Sequence, residues 1–348
     1  MDGTLTPRPQ SAVPSRVGGL DFVRCVAVFF VLSVHFFMNG GYYDTPLIGG
    51  KLLLATAARW LFFSCVPLFI LLTGFLQNRK KAEKAYYRKI LRILFEYLVI
   101  CVICNLFRIL YLGETLSLTN WIGSILKFSA APYAWYVNFY IGLFLLIPFL
   151  NLIYNGLTTQ KGKQLLLGTL LLLTALPAAV NGVLPIFPDW WTRIYPLCYY
   201  FIGCYLAEYR PRVNRFLCVA GVGIIALLEA IFSFWYAKGG VFSSTVPFDY
   251  GALPTVALSV LLFLALYDVH LGKLSGKVAA HISDWALSIY LISWVFDKLF
   301  YPPLISAVPL FSDRLPFYFV VVPLVFLCSA CCSSVICWAR NKTLRAFE

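Results

Sequence analysis

Charge is what this chain has least of. Only 12% of its 348 residues are charged, and 61% are hydrophobic. A soluble domain is about 25% charged and about 45–50% apolar. Length alone would allow about two soluble domains, but this composition excludes soluble, disordered and fibrous chains. Histidine is also scarce, with three in all. Internal repeats and long soluble segments are missing. The eleven cysteines lie almost entirely in apolar runs, so they do not form a disulfide framework. Cys101-x-x-Cys104 sits within such a run, with no histidine in its own segment, and does not read as a metal or redox site. The first apolar stretch lacks a small-residue cleavage site and is followed by further spans, so it reads as a signal anchor. Long apolar runs argue against a membrane β-barrel, whose strands alternate over about 10 residues.

What is present is a series of apolar runs. A spanning helix needs about 20 such residues. Breaks at polar, proline and glycine residues leave ten candidates: 20–38, 52–76, 90–112, 133–155, 164–181, 195–208, 216–237, 251–270, 282–304 and 316–339. The fold class expected is therefore an all-α polytopic membrane protein of about ten helices. Residues 1–17, rich in proline, serine and threonine, are expected to form a disordered cytoplasmic tail. Residues 18–340 form the membrane domain, and 341–348 a short cytoplasmic tail.

The net charge of +13 speaks first of topology, not of nucleic acid. With the amino terminus inside, 19 of the 28 basic residues fall on the inner side and seven on the outer. Arg24 and Arg59 lie within spans. This split favours both termini in the cytoplasm. The outer loops are short, so chemistry belongs in the membrane body or on a partner.

Arg24 and His35 stand eleven residues apart in the first span. Eleven steps return nearly to the same helix face and separate the two by about 16 Å. Histidine exchanges protons near neutral pH, and an ionisable group inside a span is a functional hypothesis by default. His270 and His281 fall in an inner loop. Four further polar residues share the outer-side depth of His35, namely Arg59, Asn138, Glu229 and Asp297. They read either as one buried cavity around His35 or as separate snorkelling and helix-pairing groups. Glu96, four residues beyond Arg92, reads as its structural partner. Asp189-Trp190-Trp191 and Tyr42-Tyr43-Asp44 suit sugar stacking, but an ordinary aromatic belt explains them better.

The spacing Arg24-x10-His35 resembles the Arg/Lys-x10-His signature of the acyltransferase 3 family of membrane acyltransferases. Other blocks agree in order. Ser64 to Leu76 resembles the family's second span with its Ser/Thr-Gly-Phe, here Thr73-Gly74-Phe75. Tyr87 to Leu94 resembles its basic entry to the third span. Ala134-Trp135-Tyr136-Val137 resembles the start of the fourth. Tyr199 to Gly203 and Leu287 to Ile292 resemble later blocks. One position departs: where members often carry a second histidine after the Tyr-Leu of the ninth span, this chain has Ser293.

The resemblance implies a membrane enzyme that moves an acyl group, usually acetyl, from acyl-CoA to a hydroxyl of an envelope glycan, lipid-linked sugar or other small acceptor. Some members carry an extra extracytoplasmic hydrolase-like domain, and none is expected here. His35 would act as general base or carry the acyl group itself. Arg59 or Asn138 would hold the oxyanion, and Glu229 or Asp297 would orient His35. Acetyl-CoA is the expected co-substrate, and no metal is implied. Its phosphates would meet Arg88, Lys89 and Arg92, the part of the run Arg79–Arg92 that the family motif singles out. Arg24 would guide the pantetheine arm or pair with Asp21. Expected partners are the acyl-CoA donor, the hydroxyl acceptor and membrane lipids, with a homo-oligomer left open. The rival class is a transporter or flippase using His35 and Arg24 as a substrate or proton site.

Overall fold

The computed structural model describes residues 18–242 and 249–345. The tail expected at 1–17 lies outside the described residues. Among those described, the secondary structure is helical, with no strand beyond one isolated bridge between Pro46 and Val241. Every expected span is a helix: α1 Gly18–Asn39, α2 Gly50–Gln77, α3 Ile90–Leu110, α5 Trp135–Gly156, α6 Gln160–Val180, α7 Tyr195–Tyr209, α8 Arg215–Ala237, α9 Leu253–Leu266, α10 Lys273–Ala307 and α11 Tyr318–Arg345. Besides single turns at Lys84–Tyr87 and Phe311–Arg314, the described residues hold a nine-residue helix that was not expected, α4 at Leu118–Leu126.

Eight of these segments are long and apolar enough to cross a membrane. The exceptions are α7 and α9, with 15 and 14 residues. At about 1.5 Å per residue they reach about 22 Å, short of the ~30 Å hydrocarbon thickness. Both start on a proline in the first turn, which suits a helix start because that N–H has no partner there. At the other extreme, α10 runs 35 residues, about 52 Å. It therefore takes up His281, which was expected in a loop. The α2 helix breaks at Ser64, where its two segments Gly50–Phe63 and Cys65–Gln77 meet. Pro67 explains the break, since it has no N–H to offer the carbonyl of Phe63.

The chain divides into two compact units: Met1–Arg79 with Leu150–Ala280, and Lys80–Phe149 with His281–Glu348. In the first, the second half of α2 packs on α7 by backbone approach. A Cβ on Gly74 would sit 2.0 Å from the Tyr200 carbonyl oxygen, and one on Gly203 would sit 2.2 Å from that of Leu71. Neither position can hold a larger residue without separating the helices. Cys204 Sγ donates to the Gly74 carbonyl at 3.5 Å. Nearby, Tyr200 donates to Asn151 Oδ1 at 2.7 Å, and Asn151 donates to the Gln77 carbonyl at 2.8 Å. Small residues at a helix interface are how membrane helices pack without a hydrophobic driving force. The Thr-Gly-Phe and Tyr-Tyr-Phe-Ile-Gly blocks are thus two halves of one contact.

In the second unit, α3 joins α10 and α11 through charge. Arg340 donates to Glu96 and, at 2.7 Å, to Asp284, while Ser288 donates to the other oxygen of Glu96 at 2.6 Å. The described partners of Glu96 are therefore Arg340 and Ser288 rather than Arg92. Arg340, counted as an ordinary inner-side cation, is buried. So is Lys163 of the first unit, which meets Glu208 at 2.7 Å.

Candidate functional site

The α1 helix carries His35 and Arg24 at the spacing read from the sequence. His35 is buried at 6% exposure, and Arg24 is half-buried eleven residues earlier. The helix is straight between them, with no proline or glycine from Leu20 to Asn39, so the rise between them is about 16 Å. Beyond His35, the amide of Asn39 donates to its carbonyl oxygen at 3.0 Å. Phe37, two residues on, packs edge-on against Tyr42 and against Phe62 of α2. Those rings lead into the next cluster.

Arg59 is 5% exposed inside the first unit. Its guanidinium carbon lies 4.1 Å from the Trp60 ring centre, 4.2 Å from Phe63, 4.6 Å from Phe242 and 5.9 Å from Tyr43. Stacking on aromatic faces suits arginine, whose planar cation is weakly hydrated. Nε donates to the Tyr43 hydroxyl at 3.3 Å. Nη1 is buried with no hydrogen-bond partner among the described residues. Trp60 donates to Ser233 Oγ at 3.0 Å, which donates to the Glu229 carbonyl at 2.7 Å. This chain ties α2 to α8. Glu229 is 2% exposed; it accepts from Thr255 of α9 at 3.1 Å through Oε1, and Oε2 has no described partner. Arg59 and Glu229 lie within electrostatic range of each other. The first unit thus keeps a buried donor and a buried acceptor, both with an arm to spare.

Tyr42 and Tyr43 are part of this arrangement. Tyr42 is wholly buried, and its hydroxyl shares a hydrogen bond with that of Thr56 at 2.8 Å. A belt ring keeps its polar end at the interface, which does not suit Tyr42; Tyr43 is half-exposed. Trp190 and Trp191, by contrast, are exposed.

Asn138 and Asp297 belong to the second unit. Asp297 is buried and accepts from the Tyr133 hydroxyl at 2.7 Å, while Tyr290 donates to the Tyr133 carbonyl. Asn138 was expected to be buried, but it is exposed. The buried positions of α5 are Val137, Leu143, Phe144, Ile147, Pro148, Leu150, Asn151 and Tyr154, which fall on one side of the helix. Asn138 lies on the opposite face, with the exposed Leu145, Phe149 and Leu152. Ser293 is buried, and its hydroxyl donates to the Tyr290 carbonyl of its own helix at 2.8 Å.

Arg88, Lys89 and Arg92 are all exposed around the amino-terminal end of α3, with Lys89 as its capping residue. The N–H groups of Leu91 and Arg92 already donate to the Arg88 and Lys89 carbonyls at 3.1 and 3.2 Å, so what this end offers is side-chain charge. Three cations at that end suit a phosphate.

A scan of family models matches the acyltransferase domain over residues 17–338, nearly the whole chain. The chain belongs to that family. No curated protein and no solved structure matches it. As a membrane acyltransferase, it needs a group that manages the acceptor proton and donors that stabilise the carbonyl oxygen. In the first unit, His35 and the Arg59–Glu229 cluster are the buried groups with that chemistry. Sequence reasoning missed Tyr43 and Thr255 as neighbours of this cluster. Tyr43 carried a signal as part of Tyr42-Tyr43-Asp44, whereas Thr255 looks like any threonine in an apolar run.

Proposed function

We propose that the protein is an O-acyltransferase that uses acetyl-CoA and delivers the acetyl group to a hydroxyl of an envelope glycan or lipid-linked sugar. In this reading the chain crosses a bacterial inner membrane ten times, with both termini inside. Eight helices do so by their own length, and α7 and α9 do so as short helices packed within the first unit. The observation that carries the reading is the pairing, on one unbroken helix of a family member, of a buried His35 with Arg24 about 16 Å away. An extended pantetheine arm fits that interval.

CoA phosphates are held from the cytoplasm by Arg88, Lys89 and Arg92, and Arg24 guides the arm. At the thioester, the acceptor oxygen attacks the acetyl carbonyl while His35 accepts the hydroxyl proton. The C–S bond breaks as the new C–O bond completes, and the CoA thiolate takes up a proton. If His35 is itself acylated first, a C–N bond forms as the C–S bond breaks, and the acceptor oxygen then displaces the imidazole as the C–O bond forms. Arg59 Nη1 stabilises the carbonyl oxygen as its charge develops. Glu229 orients His35.

The deciding experiment follows acetyl groups from labelled acetyl-CoA to envelope glycans in cells with and without the protein. It is repeated with His35→Ala at equal protein level. A general base typically contributes about 10²–10⁴-fold, so transfer should fall by about that factor. Full transfer by His35→Ala would remove the histidine from the reaction. A chain that consumes no thioester would remove the transferase itself.

A further inference from the structure

The second unit holds a polar seam that the acyl-transfer reading does not use. It lies between α3 and the short helix α4. Ser117 caps α4 by accepting from the Asn120 N–H at 3.3 Å. Leu118, Ile122 and Leu126 form one exposed stripe along it, the pattern of a helix lying in a headgroup boundary. Its other side faces α3. Asn105 is wholly buried and donates to Ser124 Oγ at 3.3 Å, while Tyr97 donates to the Ile125 carbonyl at 2.5 Å. Arg108, one turn beyond Asn105, lies over the Trp294 ring at 5.4 Å. One arm reaches the carbonyl of the exposed Ser129 at 3.5 Å, so the seam opens to the surface there.

Three atoms in this seam are buried with no hydrogen-bond partner among the described residues: Asn105 Oδ1, Arg108 Nε and Trp121 Nε1. Folded proteins rarely leave even one such atom unmet without a reason. Here three fall within two turns of α3 and one turn of α4. Two are donors, and one is an acceptor. A phosphate or carboxylate would serve both donors but would bring no hydrogen to Asn105 and would set a negative charge near its oxygen. A pair of neighbouring hydroxyls serves all three. Their oxygens accept from Arg108 and Trp121, and one hydroxyl hydrogen goes to Asn105. The Trp121 ring, half-buried beside them, gives a sugar face a surface to pack on.

We propose that this seam is a subsite for a neutral sugar residue, with α4 lying over it and Ser129 at its entrance. It rests on the reading above in one respect: the seam lies at the outer end of α3, where an acceptor glycan would arrive. It therefore names that acceptor as a neutral glycan.

The test is direct binding without any acyl donor. The full-length protein in phosphatidylcholine nanodiscs is dialysed against labelled maltotetraose, cellotetraose and chitotetraose, with inorganic phosphate and phosphatidylglycerol-containing discs as competing arms. At least one oligosaccharide should bind. Trp121→Phe, which removes the N–H but keeps a ring, should weaken it about threefold to tenfold, and Arg108→Gln by about tenfold or more, from the usual worth of neutral and charged hydrogen bonds. Failure of all three sugars to bind overturns the subsite. Equal binding by both variants also overturns it and leaves bridging water in the seam. Displacement of the sugar by phosphate or phosphatidylglycerol assigns the seam to a lipid headgroup instead. Because no acetyl-CoA is present, a protein that binds sugar but transfers nothing separates failure of the transferase reading from failure of this one.

Discussion

Two buried arginines, one in each unit, have the same exposure and opposite surroundings. Arg340 and Arg59 are both 5% exposed. Arg340 has each arm committed: Nη1 to Glu96, Nη2 to Asp284 at 2.7 Å and Nε to Asn341 at 3.1 Å. Among the described residues, Arg59 has one hydrogen bond, at 3.3 Å, four rings around it and a buried Nη1 to spare. Burying charge is costly, and only full pairing offsets it well. A closed set such as that of Arg340 holds helices together and has little to offer a substrate. An arginine wrapped in rings keeps its charge without spending all its donors. The contrast separates a cation whose donors are all taken from one with a buried donor left over, although composition counts them alike.

The comparison is broken most severely at Arg340. Arg340→Ala leaves Glu96 buried against Ser288 alone, and removing one member of a buried pair costs about 3–5 kcal/mol. Detergent-resistant thermal unfolding should show this as a large drop, with Glu96→Gln in the same chain restoring part of it. An unchanged melting temperature would mean that Arg340 does not hold these helices. Arg59→Lys tests the other side. Lysine keeps the charge but lacks the fork, so melting should change little while acetyl transfer falls by about 10²–10³, the usual cost of losing one oxyanion donor. A variant that melts early and still transfers at the wild-type rate would make Arg59 structural too.

Away from charge, Gly203→Ala probes the helix contact on which the first unit depends. Its new methyl would lie 2.2 Å from the Leu71 carbonyl oxygen, in a backbone that has little room to give. Overpacking of this kind costs about 1–3 kcal/mol. The loss should appear in melting before any effect on the acyl-CoA Michaelis constant, because Arg88, Lys89 and Arg92 belong to the other unit.

How much of this was legible in the sequence differs by kind of information. Apolar runs found every long helix, since length and hydropathy are local properties. They missed α4, whose nine residues fall below the length of a span and whose only signal is the Ser117 cap. They also gave α7 and α9 no special length. Counting residues from a helix end gave depth, so Arg59, Glu229 and Asp297 were rightly read as buried. Depth says nothing of rotation, and Asn138 failed for that reason: it lies on the exposed face of α5. Pairings across long stretches were not legible at all. Glu96 looked like the partner of Arg92 because Arg92 is four residues away, while Arg340 is 244 away. Gly74 and Gly203 stood out within two motifs, but nothing local says that each glycine makes room for the other helix.

The finest test compares two hydroxyls that do the same job in the two clusters. Ser288 donates to Glu96 at 2.6 Å, and Thr255 donates to Glu229 at 3.1 Å. Hydrogen bonds between membrane helices are worth about 0.6 kcal/mol on average and about 1.7 at most. Ser288→Ala should fall toward the upper figure, because Glu96 stays paired with Arg340 and loses a short bond. Thr255→Val should fall toward the lower figure, because Glu229 already tolerates one unmet oxygen. The order should invert in acetyl transfer. Freed from Thr255, Glu229 loses its fixed direction, and transfer should drop several-fold, whereas Ser288→Ala should leave it within about twofold. If both variants lose stability and neither loses transfer, then Glu229 is held for packing alone. The open cluster would then differ from the closed one only in how well it is filled.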